Sequence, residues 1–212
     1  MSNYKAIGAV TQTLIKLIDI NSNTLPSPPK VLSQYPDKFF NANDDAINVH
    51  LYHVKESGNY KNNFLPHRNN NGGKTNLSYL CLELYYTISA RSETDMYNDI
   101  ILGHAMLNLF DNPILDKSYF STQIETIPAY SDVNISKDNI ENIKISLENL
   151  TVDEASKIWS MYGVKYRPSA YYKVSVLLMR NEQEFNEGLP VKEVMVTVLP
   201  KESIVIDEVI IE

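Results

Sequence analysis

Apolar residues return along this chain in two rhythms, and the change from one to the other separates helices from strands. Ile7, Val10, Leu14, Leu17 and Ile18 recur at three- and four-residue intervals. That spacing predicts a first helix, capped by Ser2 or Asn3 and ending near Asp19, with its apolar stripe laid on a sheet. From Asp44-Asp45 the period shortens to two, with Ile47, Val49, Leu51 and His53 on one face and His50, Tyr52 and Val54 on the other. Leu77 to Ser89 alternates likewise, Leu80, Leu82, Leu84, Tyr86 and Ile88 against Tyr79, Cys81, Glu83, Tyr85 and Thr87, so the two runs are expected to pair as a wide hairpin. A second helix is predicted after the capping pair Ser92 and Asp95, with Ile100, Ile101, Met106, Leu107 and Phe110 on its apolar side and Asn112-Pro113 ending it. A short amphipathic turn around Ser118 to Ile124 follows, then a polar connector to Asn139 and a third strand with Ile143, Ile145 and Leu147.

The most sharply punctuated stretch runs from Leu150 to Met179. Thr151 is a good N-cap, and Glu154 stands where a capping-box carboxylate reaches back to the cap's own N–H. A helix through Ala155, Ile158, Trp159 and Tyr162 is expected, stopped by Gly163. Pro168 biases Arg167 away from helical dihedrals, and the next run alternates Tyr172, Val174, Val176 and Leu178 against Tyr171, Lys173, Ser175 and Leu177, which is a strand. Trp159 shares its helix side with Ala155, Ile158 and Tyr162, and we read it as covering this strand's sheet rather than as part of a binding site. Together the elements imply an α+β fold: a central, mostly antiparallel mixed sheet from strands near 47–54, 77–89, 141–148 and 169–180, with about three helices packed on it.

The connections are as informative as the elements. Asn21 to Pro36 carries Pro26, Pro28, Pro29 and Pro36 among polar residues, the composition of an extended connector over the surface. Residues 55 to 76 have no periodicity, and a loop of that length in a compact domain is commonly functional. Its anchors Tyr60, Phe64, Leu65 and Pro66, beside Arg68, are expected to be ordered by a partner. After Met179 a charged turn from Glu182 to Gly188 leads to Val194, Val196 and Val198, then to Pro200 and the β-prone end Ser203 to Ile211. We take 1–180 as the main domain and 181–212 as a tail whose Ile204, Ile206, Val209 and Ile211 either fold back as edge strands or are donated to another chain.

Composition narrows the function classes. A chain of 212 residues, 43% hydrophobic, is long enough for one substantial core. The net charge of -7, with no basic run, argues against nucleic acid as the main partner. Cys81 is the single cysteine and falls inside an apolar strand pattern, so it reads as a core thiol in a protein made in a reducing compartment. The start MSNYKAIGAV lacks the pattern of a cleaved signal peptide, and no segment approaches the ~20 apolar residues of a membrane span. His50 and His53, three apart on a strand, are expected on opposite faces, and His67 and His104 fall on a loop and a helix, so no metal site is assigned. No phosphate loop, G-x-S-x-G elbow or HExxH helix occurs. Glu83 is the one carboxylate in an apolar setting, and we read it as a strand carboxylate at a sheet edge or facing a subunit neighbour. No catalytic residue and no cofactor are assigned.

One resemblance is specific. The run L-T-V-D-E-A-S-K-I-W-S from Leu150, followed by Tyr166, Arg167, Ser169, Tyr172, Ser175 and Val176, resembles the cap or tail-terminator proteins of extracellular contractile injection systems of the antifeeding-prophage and virulence-cassette type. The resemblance extends to Ser2-Asn3-Tyr4, Ala6-Ile7, Val10 and Thr13-Leu14, to Val49 through Val54 with Asn62, Leu65-Pro66 and Arg68, and to Leu82 through Tyr86, covering about residues 2 to 180. The polar, glycine-bearing stretch Asn69 to Asn76 departs from the family pattern. By resemblance the fold is tail-terminator-like and the protein is a cap that stops tube and sheath growth. It would form a sixfold ring on the last tube layer, with itself and the tube and sheath subunits as partners and no membrane insertion. It would be made and assembled in the cytoplasm and found at the distal end of the particle. The competing expectation, from a different class, is an enzyme or small-molecule-binding domain with its pocket between the Thr151 helix and the sheet.

Overall fold

The computed structural model describes residues 5–40, 44–58, 79–125, 127 and 143–179. The three longest alternating runs form the middle of its sheet: β2 (Ala46–Glu56), β3 (Tyr79–Arg91) and β6 (Ser169–Met179). Each presents one set of alternate side chains to each face, and both faces are covered over much of their length, which is why the runs are so apolar, while His53 to Glu56 of β2 and Leu80 of β3 are exposed. Three short strands, β1 (Lys30–Leu32), β4 (Ile114–Leu115) and β5 (Ile143–Leu147), complete the order β1-β2-β3-β6-β5-β4. Only β1 and β2 are parallel; the other neighbours are antiparallel. The fold is therefore α+β with a mostly antiparallel mixed sheet, and β2 and β3 form the expected wide hairpin.

One face carries α1 (Ala6–Asp19), α3 (Asp95–Asp111) and α4 (Lys117–Glu125). Leu14, Leu17 and Ile18 of α1 pack there with Leu84, Tyr86, Ile88, Tyr172 and Val174 of the sheet in one apolar cluster. The Tyr86 hydroxyl, fully buried, is satisfied by Thr11 Oγ1 at 2.9 Å. On the other face lie α2 (Pro36–Phe39) and α5 (Val152–Met161). Thr151 and Glu154 form the expected capping box, Glu154 N–H donating to Thr151 Oγ1 at 3.3 Å and Thr151 N–H donating to Glu154 Oε2 at 2.9 Å. Such a cap contributes about 1 kcal/mol. Gly163, at φ 67°, lies in the left-handed region that ends the helix without a Cβ clash.

Several expectations are corrected. The helix expected from Ser2 or Asn3 begins at Ala6 with Lys5 as an N-cap whose side chain does not cap the helix; Ser2 and Asn3 lie outside the described residues. The connector 21–36 is not wholly on the surface, since it contains a 3-10 turn at Ser22–Thr24, strand β1 and the start of α2. The buried Asn48 side chain holds it by accepting from Gln34 N–H at 2.9 Å and donating to Gln34 O at 3.0 Å. The turn expected at Ser118 to Ile124 is a full helix because Asp116 caps it, its Oδ1 accepting from Tyr119 N–H at 2.8 Å. Thr94, not the Ser92 and Asp95 pair, is the N-cap of α3, and its side chain makes no capping bond. Leu147 of β5 is half exposed, where alternation placed it inward with Ile143 and Ile145. A β-bulge between Leu51 and His53 breaks the strict alternation of β2, so that His50 pairs with Thr87 and His53 with Tyr85 on the same face of the sheet. The two histidines therefore share a face rather than opposing one another.

Candidate functional site: an assembly surface

The predicted contact residues Tyr60, Phe64, Leu65 and Arg68, and Ile204, Ile206, Val209 and Ile211, lie outside the described residues. The sheet does fix where the chain departs toward them. Near the end of β2, Glu56 is paired with Leu82 and Ser57 N–H donates to Cys81 O at 2.9 Å. Tyr79, the first residue of β3, is paired with Met179, the last of β6. Gly58, Tyr79 and Met179, the last described residues before 59–78, after it and before 180–212, thus stand together at one end of three adjacent strands.

Glu83 lies just inside that end. β3 is an interior strand, so the carboxylate is not on a sheet edge as expected. Ser57 Oγ donates to its Oε1 at 3.1 Å and the Tyr85 hydroxyl to its Oε2 at 3.0 Å, so both oxygens are engaged in holding the strand ends together. Burial, with the Glu83 charge adding to it, pushes the Tyr85 phenol up to about 12.

The face under α5 is built from rings. Trp159, 1% exposed, donates its indole N–H to the Tyr171 hydroxyl at 3.0 Å, with Ser169 Oγ at 3.3 Å. Phe40 lies 5.6 Å from Trp159 between ring centroids, and the Arg167 guanidinium sits over Phe40 at 4.4 Å. Arg91, buried, covers the Phe39 ring at 4.4 Å, donates Nε–H to Asp44 O at 2.8 Å, and bonds Phe39 O and the Asp44 carboxylate through its other nitrogens. This latch ties α2 and the residues before β2 to the end of β3. Lys30, followed by Arg91, holds the Asp44 carboxyl below its usual range. Thr151, Glu154, Trp159 and Arg167 are thus parts of this layer, while Tyr172 points into the main core on the opposite face. His50 packs edge-on against Tyr35 and Tyr162, and burial lowers its pKa, which favours the neutral ring. The Tyr162 and Thr87 hydroxyls are buried without a completed hydrogen bond. Among the described residues, no three His, Cys, Asp or Glu side chains come together in a metal-binding group.

Two cavities border this framework. One of about 270 Å³ lies where the enzyme reading placed a pocket, beside Thr151, Val152 and Ala155; Glu148 is the one carboxylate lining it, and the Tyr171 hydroxyl there is already held by Trp159. The other, about 630 Å³, runs between α3 and β5 and is lined by Leu107, Phe110, Ile145, Leu147 and Tyr172 among other apolar groups. Its rim is a feature that sequence reasoning misplaced. The apolar pattern puts Ile100, Leu107 and Phe110 on the core side of α3, but Ile101, Ala105 and Leu109 are the buried positions and the first three face solvent. The signal was present as two apolar stripes on one helix, one spaced by fours and one alternating fours and threes.

Solved structures share this fold. The chain matches the sheath/tube terminator of an extracellular contractile injection system in its extended state with a TM-score of 0.56 at 15% identity, over 91% of this chain and 64% of that one. It matches the tube-terminating cap of the anti-feeding prophage with a TM-score of 0.57 at 18% identity, over 89% of this chain and 60% of that one. The chain therefore spans about three fifths of the length of the solved chains, and at these identities the likeness shows a common fold. No curated protein matches the chain in sequence. The family assignment rests on a sequence pattern longer than any local motif: the model of the Pvc16 N-terminal domain matches residues 9–193, and the chain belongs to that family.

Proposed function

We propose that this protein is a structural cap, closing into a ring on the last layer of a contractile particle's tube and ending the growth of tube and sheath. The observation that carries the reading is that the strand ends at Gly58, Tyr79 and Met179 stand together at one end of the sheet. Membership of the Pvc16 N-terminal domain family and the fold shared with a terminator and a cap support it. The ring closes through a heterologous interface whose rotation returns to its start, sixfold to match the tube. Growth stops because the outer side of the ring offers no surface that a further tube subunit can use. Tyr60, Phe64, Leu65 and Arg68 contact a neighbouring subunit or the tube, and Ile204, Ile206, Val209 and Ile211 pair with an open strand edge of the sheath. Assembly takes place in the cytoplasm and the cap stays at the particle's distal end; no described helix is long and apolar enough to cross a membrane. The work is done by contact surfaces, without a catalytic group or cofactor. Changing Leu65 and Arg68 together to Ala tests the loop: the monomer should keep its melting temperature while ring formation or tube attachment, scored by electron microscopy, is impaired. Normal capping by the double variant would show that the loop has another role.

A further inference from the structure

α3 has two apolar faces, and the core uses only one. Ile101, Ala105 and Leu109 are buried. Met96, Ile100, Gly103, Leu107 and Phe110 are spaced four, three, four and three, which is the seam of a two-helix contact, and all five face solvent. Phe110 is 79% exposed, Met96 75% and Leu107 58%. Ile114 and Leu147 are exposed as well, at 57% and 49%, so the apolar residues left uncovered here are more than scattered surface positions, and an apolar face of this kind marks a contact site.

The seam is also nearly the same read in either direction. Gly103 is its centre, Ile100 and Leu107 flank it, and Met96 and Phe110 end it. Self-complementarity of this kind is what a two-fold contact requires. Gly103 supplies an independent indication. A Cβ built there meets nothing within 4 Å, so among the described residues no packing calls for glycine. In mid-helix, glycine costs about 1 kcal/mol relative to alanine. Close approach of a second backbone explains it.

We propose that two copies of this chain pair through α3, antiparallel, with the two-fold axis passing beside Gly103. Met96 then lies against the second copy's Phe110, and Ile100 against the second copy's Leu107. The unbranched Met96 side chain is suited to fill the apolar cavity of about 630 Å³ whose rim Leu107 and Phe110 form. The contact is independent of the capping reading, because it uses neither 59–78 nor 180–212.

Cross-linking tests the geometry. Cys81 is buried, so a cysteine introduced as Gly103→Cys is the reactive one in the described structure. Mild oxidation should give a disulfide-linked pair, since two residues on the axis fall within the ~7 Å between Cα atoms that a disulfide spans. In parallel, Gly103→Arg, which the open space around Gly103 accommodates, and the double variant Leu107→Asp with Phe110→Asp should halve the mass seen by sedimentation equilibrium while circular dichroism stays unchanged. Absence of the cross-link in folded Gly103→Cys protein, a monomeric parent at tens of micromolar, or an unaltered mass for Gly103→Arg would each overturn the pairing. A Gly103→Arg protein of unaltered mass but lowered melting temperature would mean that the seam is covered by the chain's own segments instead.

Discussion

Trp159 concentrates the packing of the second face into one side chain: it fills the space between α5 and β6, meets Phe40, Tyr162 and Tyr166, and anchors its indole N–H on Tyr171. Trp159→Ala should cost about 3 to 5 kcal/mol and lower soluble yield. Urea unfolding measures this, and a stable, well-folded Trp159→Ala protein that had lost only assembly would make Trp159 an interface residue. Tyrosines give a second residue-level test. Burial pushes Tyr52 and Tyr85 up to about 12, and raises Tyr86 and Tyr162 still further, so the folded state favours the neutral phenols. Their contribution is complete below the unfolded value of about 10 and is lost as pH rises from there toward 12. Stability should therefore change little from these groups up to pH about 10 and then fall steeply, with tyrosinate absorbance and loss of secondary structure rising together. Ionisation of these phenols near pH 10 in a protein that stays folded would contradict their burial.

At the scale of elements, what could be read in the sequence was set by length and by local chemistry. Thr151, Glu154 and Gly163 define α5 within four residues of their own backbone, and the capping box forms as written. β2, β3 and β6 are long enough for alternation to identify them. β1 and β4, of three and two residues, are too short to alternate and exist because a neighbouring strand supplies their hydrogen bonds. The bulge in β2 is equally silent: His53 changes face because Tyr52 is left out of the ladder with β3, which only the pairing reveals. The Arg91 latch joins residues 47 to 52 positions apart and follows no local pattern. α3 was misread for a different reason. Its apolar residues cover more than one face, and periodicity alone does not say which stripe meets the sheet. Truncation after Pro200 should leave thermal stability and ring formation intact while sheath retention at the particle end is lost; a large fall in melting temperature with normal sheath capping would place Ser203 to Ile211 on the chain's own sheet.

At the scale of the whole molecule, the fold sorts its surfaces by task. The main core and the aromatic second face pack the sheet from both sides, and the strand ends at Gly58, Tyr79 and Met179 gather at one end of it. Rigid support with contacts gathered at one end is what a cap needs, because its partners must find the same geometry at every position of a ring. Electron cryomicroscopy of the end of an intact particle addresses this most directly. A ring of this fold should be seated on the last tube layer, with the strand ends bearing Gly58, Tyr79 and Met179 turned toward the tube and sheath. A particle end without this fold, or a ring bound with those strand ends turned to solvent, would contradict the capping function.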